Sequence, residues 1–305
     1  MDALIELSAD FAVLAQEAVP LADGAMDIFT THIAIPVVQR FADRPLQEVM
    51  PLLMVGLIMG TLYFAFVFCC VPVTGTGMLS MGPAAFQVAF TLALVAYYQG
   101  VMTDPGSIPD SWCASPEILA CIKDRIFEKK RTTGEIRFCN KEQKYKPDRS
   151  HYCKPLQKNV LRMDHYCPWL SNCVGFYNHK YFVLFLLYTV IATNIALFII
   201  VQALACQVFP AGTTAFLLGT AALSGLLVSI LTPFLVLHVW LLARNMTTIE
   251  FCEQMGCKGG YSSPYDVGVL GNFRSLLGDS AWLWFLPVGG PGGEGLFWPR
   301  SQEAG

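Results

Sequence analysis

Charged side chains are absent from two long stretches of this chain: none occurs between Glu48 and Asp104, and none between Lys180 and Arg244. Each stretch has room for two apolar runs of roughly 20 residues and a turn. In the first, an apolar run over residues 52–71 is interrupted by Pro72, Gly75 and Gly77 and resumes over 79–98. Glycine and proline punctuate helices, so this pattern predicts a tight helical hairpin. The second stretch runs over 181–204, breaks at Pro210, Ala211 and Gly212, and continues over 214–243, which predicts another hairpin with longer arms. The expected fold is an all-α integral membrane protein with four transmembrane helices in two hairpins. A cysteine-rich domain is expected between helices 2 and 3.

The same pattern sets the expected organisation: a segment 1–48, helices 1 and 2 within 49–102, a loop 103–180 whose cysteine-rich part covers about 137–180, helices 3 and 4 within 181–244, and a segment 245–305. An amphipathic helix is expected over residues 8–19, either on the membrane surface or solvated, and a charged helical stretch over 116–130. A disordered tail is expected from Gly289 onward.

Composition supports the membrane reading. The chain is 54% apolar and 14% charged, whereas soluble domains carry about a quarter charged residues. Fourteen of its 20 Lys and Arg residues fall between Lys123 and Lys180, while the turns near Gly75 and Gly212 carry no charge. Basic loops stay on the cytosolic side, so the central loop and both termini are expected in the cytosol. Residues 1–6 are acidic where a signal peptide needs a basic region, so the first span is expected to direct insertion. Most of the 11 cysteines lie in reducing cytosol on this reading, which favours metal binding or catalysis over disulfides. A transporter reading is disfavoured because neither hairpin holds an acidic or basic residue. His238, the lone titratable exception, is expected to pack near an interface.

The chemistry concentrates in Asp164, His165, Tyr166, Cys167 and Pro168. A free thiol has a pKa near 8.5 and is mostly protonated in the cytosol. An adjacent imidazole can take its proton, and a carboxylate can fix the imidazole's tautomer and stabilise its cation. Pro168 restricts Cys167 to extended backbone. Taken alone, the cluster reads more readily as a chance grouping or a fragment of a structural metal site than as a catalytic one. Its position fourteen residues before Tyr181, where a span begins, places the thiol at the bilayer surface.

Residues 139–182 include Lys146-Pro147-Asp148-Arg149-Ser150-His151, then 163–169, then Asn172-Cys173-Val174-Gly175 and Asn178. This stretch resembles the cysteine-rich domain of the DHHC protein S-acyltransferases. Asp104-Pro105-Gly106 after the second span, Thr247, Thr248 and Glu250 after the fourth, and Tyr265 to Asn272 further on also fit that family. Locally, Asp104-Pro105-Gly106 is turn chemistry and Thr247 with Glu250 is a capping box.

The resemblance implies a palmitoyltransferase in which Cys167 carries the acyl group, His165 is the base and Asp164 orients it. The donor would be acyl-coenzyme A, palmitoyl-coenzyme A in particular. The acceptors would be cytosolic cysteines of membrane-associated proteins, with the lipid bilayer as surroundings and no nucleic acid. The location would be the Golgi, the endoplasmic reticulum or the plasma membrane. Lys146 and Arg149 are candidates for the coenzyme A phosphates, or for the anionic leaflet. The acyl chain is expected among the four helices, beside Ala192 and Thr193. Cys252 and Cys257 are either further acylation sites or inert thiols.

The chain departs from the family at its two zinc sites. The aligned positions hold Cys139, Glu142, Tyr152 and Asn159 in one, and Cys153, Leu156, Tyr166 and Cys173 in the other. Zinc needs about four N, S or O donors, so Cys139, Cys153 and Cys173 are the remaining metal candidates and fewer than two zinc ions are expected. A single rearranged site would use Cys139, His151, Cys153 and Cys173. The alternative function is a membrane scaffold of the same family that has lost catalysis and is only acylated at Cys167.

Overall fold

The fold is seen in a computed structural model that describes residues 35–41, 44–72, 77–112, 116–130, 132–255 and 262–301. The helix expected over 8–19 and Cys257 lie outside the described residues. The chain divides into two compact units, residues 1–49 and 50–305. In the first, helix α1 (Ile35–Phe41) precedes an ion pair between Arg44 and Glu48 at 2.9 Å.

Four helices are long and apolar enough to cross a membrane: Leu46–Cys70, Met81–Met102, His179–Cys206 and Ala211–Ala243. At 1.5 Å per residue they measure about 33 to 50 Å, against a hydrocarbon core of about 30 Å. The first comprises α2 (Leu46–Phe64) and a wider terminal turn, Ala65–Cys70, in which Val71 N donates to Phe66 O at 3.1 Å. The others are α3 (Met81–Met102), α5 (His179–Cys206) and α6 (Ala211–Ala243), with α4 (Pro116–Ile122) in the loop.

Because lipid is as apolar as leucine, these helices associate through close packing more than through hydrophobic burial. Ala89, Ala93 and Ala96 of α3 and Ala192 and Ala196 of α5 are all buried, and such small residues let helix backbones approach. Phe66 stacks on Phe86 at 3.9 Å between ring centres, extending that core toward the far end of the bundle.

The loop between α3 and α5 adds three antiparallel hairpins: β1 (Phe138–Cys139) with β2 (Lys144–Tyr145), β3 (His151–Cys153) with β4 (Lys158–Val160), and β5 (His165–Cys167) with β6 (Asn172–Val174). Each four-residue connection ends in a left-handed residue, Gln143, Gln157 or Ser171, with φ of 53°, 53° and 45°. That conformation closes a short turn at a small steric cost for these side chains.

The loop is stitched to the end of α3. Asn172 Nδ2 donates to the carbonyls of Gly100, Val101 and Thr103 at 2.9–3.1 Å, filling acceptors that a helix end leaves open. Leu161 N donates to Gly106 O at 3.1 Å, and Gly106 itself adopts φ 101° in the turn begun by Asp104. At Gly175 a Cβ would stand 2.5 Å from Val160 Cγ1 and 2.7 Å from Pro105 O, so only glycine lets these segments meet.

After α6 come α7 (Thr248–Gln254) and α8 (Val269–Leu277). The capping box at Thr247 and Glu250 is present, and Asn272 Nδ2 caps α6 through Ala243 O at 2.9 Å. The tail from Gly289, expected to be disordered, is packed as far as it is described. Leu296 is buried with Ile108, Trp112, Ile126, Leu161 and Phe176, and Tyr181 Oη donates to Gly289 O at 2.8 Å. Its Gly and Pro content obscured three apolar anchors, Leu296, Phe297 and Trp298.

Candidate active site

Side chains alternate along a strand, so His165 and Cys167 project from the same face of β5. Asp164 sits just ahead of the strand, its N–H donating to Val174 O at 2.9 Å across the hairpin. His165 Nδ1 meets Asp164 Oδ2 at 2.7 Å, and the His165 ring also hydrogen-bonds Cys167. Asp164 is fully buried and accepts two further bonds from α7, the Thr248 N–H at 2.8 Å and the Thr248 hydroxyl at 2.7 Å. The carboxylate thus receives three donors, two of them from the first residue of α7, where the helix N-terminus favours negative charge.

Burial by itself would raise the Asp164 carboxyl. The surrounding imidazoles and the bond from His165 outweigh it and hold the group far below the usual carboxylate range. Burial would likewise lower His165, but its bonds to Asp164 and Cys167 and their charges raise it to about 9. The imidazolium is therefore the form at neutral pH. Phe182 of α5 meets the His165 ring edge-on at 5.1 Å, and Tyr97 of α3 donates its hydroxyl to Trp169 O at 3.0 Å just past Cys167.

Arg149, expected at coenzyme A phosphates, is instead fully buried. It pairs with Glu250 through Nε at 2.7 Å and Nη2 at 3.0 Å and also reaches Asn245 at 2.9 and 2.8 Å. With four of its five N–H donors engaged, the rings of Tyr265 and Trp298 within 5 Å and the side chain fully buried, it is turned inward rather than toward a ligand at the surface. This pair joins the loop to α7, so Glu250 and Thr248 of one motif fix Arg149 and Asp164 together. Burial would raise the Glu250 carboxyl, but Arg149 outweighs this and lowers it. Lys146 keeps partial exposure.

The expected metal positions do not furnish two zinc sites. In the first set, Asn159 donates from its backbone to Glu142 at 2.7 Å and from its amide to the same oxygen, and its side chain bonds Cys139. Tyr152 turns to Gln157 at 2.9 Å. In the second set, Cys153 and Cys173 share an apolar cluster with Leu156, Tyr166, Val160, Met163 and Ile249. Leu156 has no donor atom and Tyr166 is a weak one, so neither set closes a tetrahedron. Cys139, His151, Cys153 and Cys173 do not gather either. Among the described residues, the one group of three potential ligands that converges is Asp164, His179 and His238, within 4.8 Å of one another.

His179 and His238 escaped sequence reasoning. His238, expected near an interface, is buried within 5.9 Å of the His165 ring centre, against Phe182 and Phe234. The sequence signal was its position as the lone titratable group in an uncharged span. Ala192 and Thr193 line a small cavity of about 20 Å³ with Phe86, Phe90 and Ala93, so an acyl chain there would displace side chains.

A carboxylate, an imidazolium and a thiol in hydrogen-bonded series, at the mouth of four membrane helices, define a membrane-embedded thiol acyltransferase. A family model described as DHHC palmitoyltransferase matches residues 132–255. Palmitoyltransferase ZDHHC15A of Danio rerio is 30% identical, covering 83% of this chain and 84% of its own length. Probable protein S-acyltransferase 13 of Arabidopsis thaliana is 33% identical over 80% and 86%, and palmitoyltransferase ZDHHC15 of Homo sapiens 29% identical over 83% and 82%. The chain belongs to the DHHC palmitoyltransferase family, and its enzyme class is acyltransferase.

Proposed function

We propose that this enzyme moves a long-chain acyl group, palmitate in particular, from acyl-coenzyme A through Cys167 to cysteines of membrane-associated proteins. The hydrogen-bonded series Asp164–His165–Cys167 carries the reading. His165 takes the Cys167 proton, and the sulfur is the nucleophile. The thiolate attacks the thioester carbonyl, a new C–S bond forms, and the C–S bond to coenzyme A breaks. The departing sulfur takes the proton from His165. Neutral His165 then deprotonates an acceptor thiol, which attacks the acyl-enzyme and releases the Cys167 thiolate beside a reprotonated His165.

Exchange of one thioester for another is nearly balanced in energy, so the protein's contribution is activation and positioning. The acyl chain lies among the helices, where each buried methylene stabilises binding by roughly 0.8 kcal/mol. The loop and both termini face the cytosol, consistent with the basic loop, in the Golgi, endoplasmic reticulum or plasma membrane. Lys146 contacts the coenzyme A phosphates.

The test is incubation of purified protein with labelled palmitoyl-coenzyme A. Wild type takes up hydroxylamine-sensitive label, Cys167→Ser takes up none at that position, and His165→Ala is strongly impaired. Equal labelling of His165→Ala would leave only an acylated scaffold.

A further inference from the structure

Asp164 is approached from two sides. On one stand His165 and Cys167, and on the other His179 from the first turn of α5 and His238 from the last two turns of α6. A carboxylate oxygen of Asp164 and one ring nitrogen from each of these two histidines lie within 4.8 Å of one another. All three residues are at most 2% exposed. His179 Nε2 and both ring nitrogens of His238 have no hydrogen-bond partner within the protein. Buried polar atoms in that condition are rare and point to something between them.

The occupant follows from a tautomer. Arg162 Nη1 stands 2.8 Å from His179 Nδ1. A guanidinium only donates, so Nδ1 accepts and the neutral ring carries its hydrogen on Nε2. Three groups each about 2.8 Å from a central water are separated by up to about 4.8 Å, which this limit allows. A divalent cation also suits two imidazoles and a carboxylate, and the spacings near 3.6 Å set by bonds of about 2.1 Å fall within the same limit, but it requires a lone pair on Nε2. Arg162 removes that lone pair and adds a positive charge beside it.

We propose that His179 and His238 are positioning residues for acyl transfer, which through one shared buried water hold Asp164 in the orientation that keeps His165 against Cys167. This rests on the acyl-transfer reading of those three residues. The charged and titratable groups facing the cluster are His165 and Cys167 from β5, Arg162 from the preceding segment, and the Arg149–Glu250 pair behind Arg162. Thr248 of α7 donates to the same carboxylate. Arg162 is itself buried, reaches Asn245 Oδ1 at 3.4 Å and lies 5.8 Å from the Trp298 ring, which closes the cluster from the C-terminal side.

The experiment uses full-length protein in bilayer nanodiscs, with single-turnover labelling of Cys167 by palmitoyl-coenzyme A between pH 6 and 9.5. Folded fractions of wild type, His179→Phe, His179→Gln, His238→Phe and His238→Gln are compared, with metal content measured on each. Loosening Asp164 lowers the pKa of His165, so both Phe variants move the alkaline limb of the rate downward by about one pH unit, a tenfold change in that equilibrium. The Gln variants, which keep a donor and an acceptor, restore most of the rate and the limb.

Wild-type rates with an unmoved limb in the folded Phe variants overturn the proposal, as does a slower rate with the wild-type pH profile, which marks a purely structural role. Stoichiometric metal in wild type that both Phe variants lose replaces the water with a cation and also overturns it. Absence of label in wild type overturns the acyl-transfer reading itself, whereas normal label in wild type with unaffected variants overturns this inference alone.

Discussion

Replacing Asp164 with Asn removes a charge while keeping the shape of the side chain. In the native protein this carboxylate accepts His165 Nδ1–H at 2.7 Å and two donors from Thr248 at 2.8 and 2.7 Å, and its bond and charge, with those of Cys167, bring His165 to about 9 against the effect of burial. An amide has one acceptor oxygen for three donors and turns its own N–H groups toward one of them. Without the charge His165 is expected near its ordinary value of about 6.5, with burial lowering it and Cys167 still raising it. At pH 7.5 the imidazolium population then drops from about 97% to about 9%, roughly a tenfold loss. At pH 6 the same arithmetic leaves about 76%, a loss of only about 1.3-fold. Single-turnover acylation of Cys167 should therefore be at least about tenfold slower in Asp164→Asn at pH 7.5, with the deficit shrinking as pH falls toward 6. Any purely geometric loss would add a constant factor across that range. A deficit that stays the same from pH 6 to 8 would refute the reasoning, because it would mean that Asp164 acts without shifting the His165 equilibrium.

The two basic residues once paired as coenzyme A ligands should separate. Arg149→Ala strands Glu250 in the interior and should cost about 3–5 kcal/mol, read as a lower melting temperature in detergent, while Lys146→Ala should leave melting unchanged and raise the KM for palmitoyl-coenzyme A. Metal analysis of purified protein should return fewer than two zinc ions per chain, and chelator treatment should leave the melting temperature of the cysteine-rich region within about a degree if hydrogen bonds carry its stability; two zinc ions per chain would contradict this. Gly175→Ala pushes a methyl into Val160 and the Pro105 carbonyl, and overpacking of that kind should destabilise by about 1–3 kcal/mol, measurable as loss of folded protein on size-exclusion chromatography.

The four spans were legible because a missing charge is a signal that no packing is needed to read. Their ends were less so: α2 begins at Leu46, ahead of the expected position and through Pro51, since a proline near a helix start costs little there. The three hairpins of the loop were invisible, because strands of two or three residues are too short to show alternation. Asp164, His165 and Cys167 could be read because their chemistry is local in sequence. Thr248 lies 84 residues from Asp164, and Glu250 lies 101 from Arg149. Only the fold brings such partners together, which is why a solvent-facing role was assigned to an arginine that is buried.

The depleted zinc positions raise the physical question of what holds the nucleophile still. The missing donors were plain in the sequence, but their replacements depend on geometry. Asn159 bridges Cys139 and Glu142 where a metal would join them, and Leu156 and Tyr166 pack around the remaining thiols. Tyr166 is the chain neighbour of Cys167, and Cys173 Sγ donates to His165 O at 3.2 Å, so Tyr166 and Cys173 of the second set lie in the hairpin that carries Cys167. Its strand is fixed by pairing with β6, by Asn172 on the end of α3, and by Thr248 on Asp164. These contacts tie the β5–β6 hairpin to the end of α3 and to α7. The rigidity that the proposed acyl transfer requires at Cys167 is thus supplied by strand pairing and by hydrogen bonds to α3 and α7, which need no metal ligand.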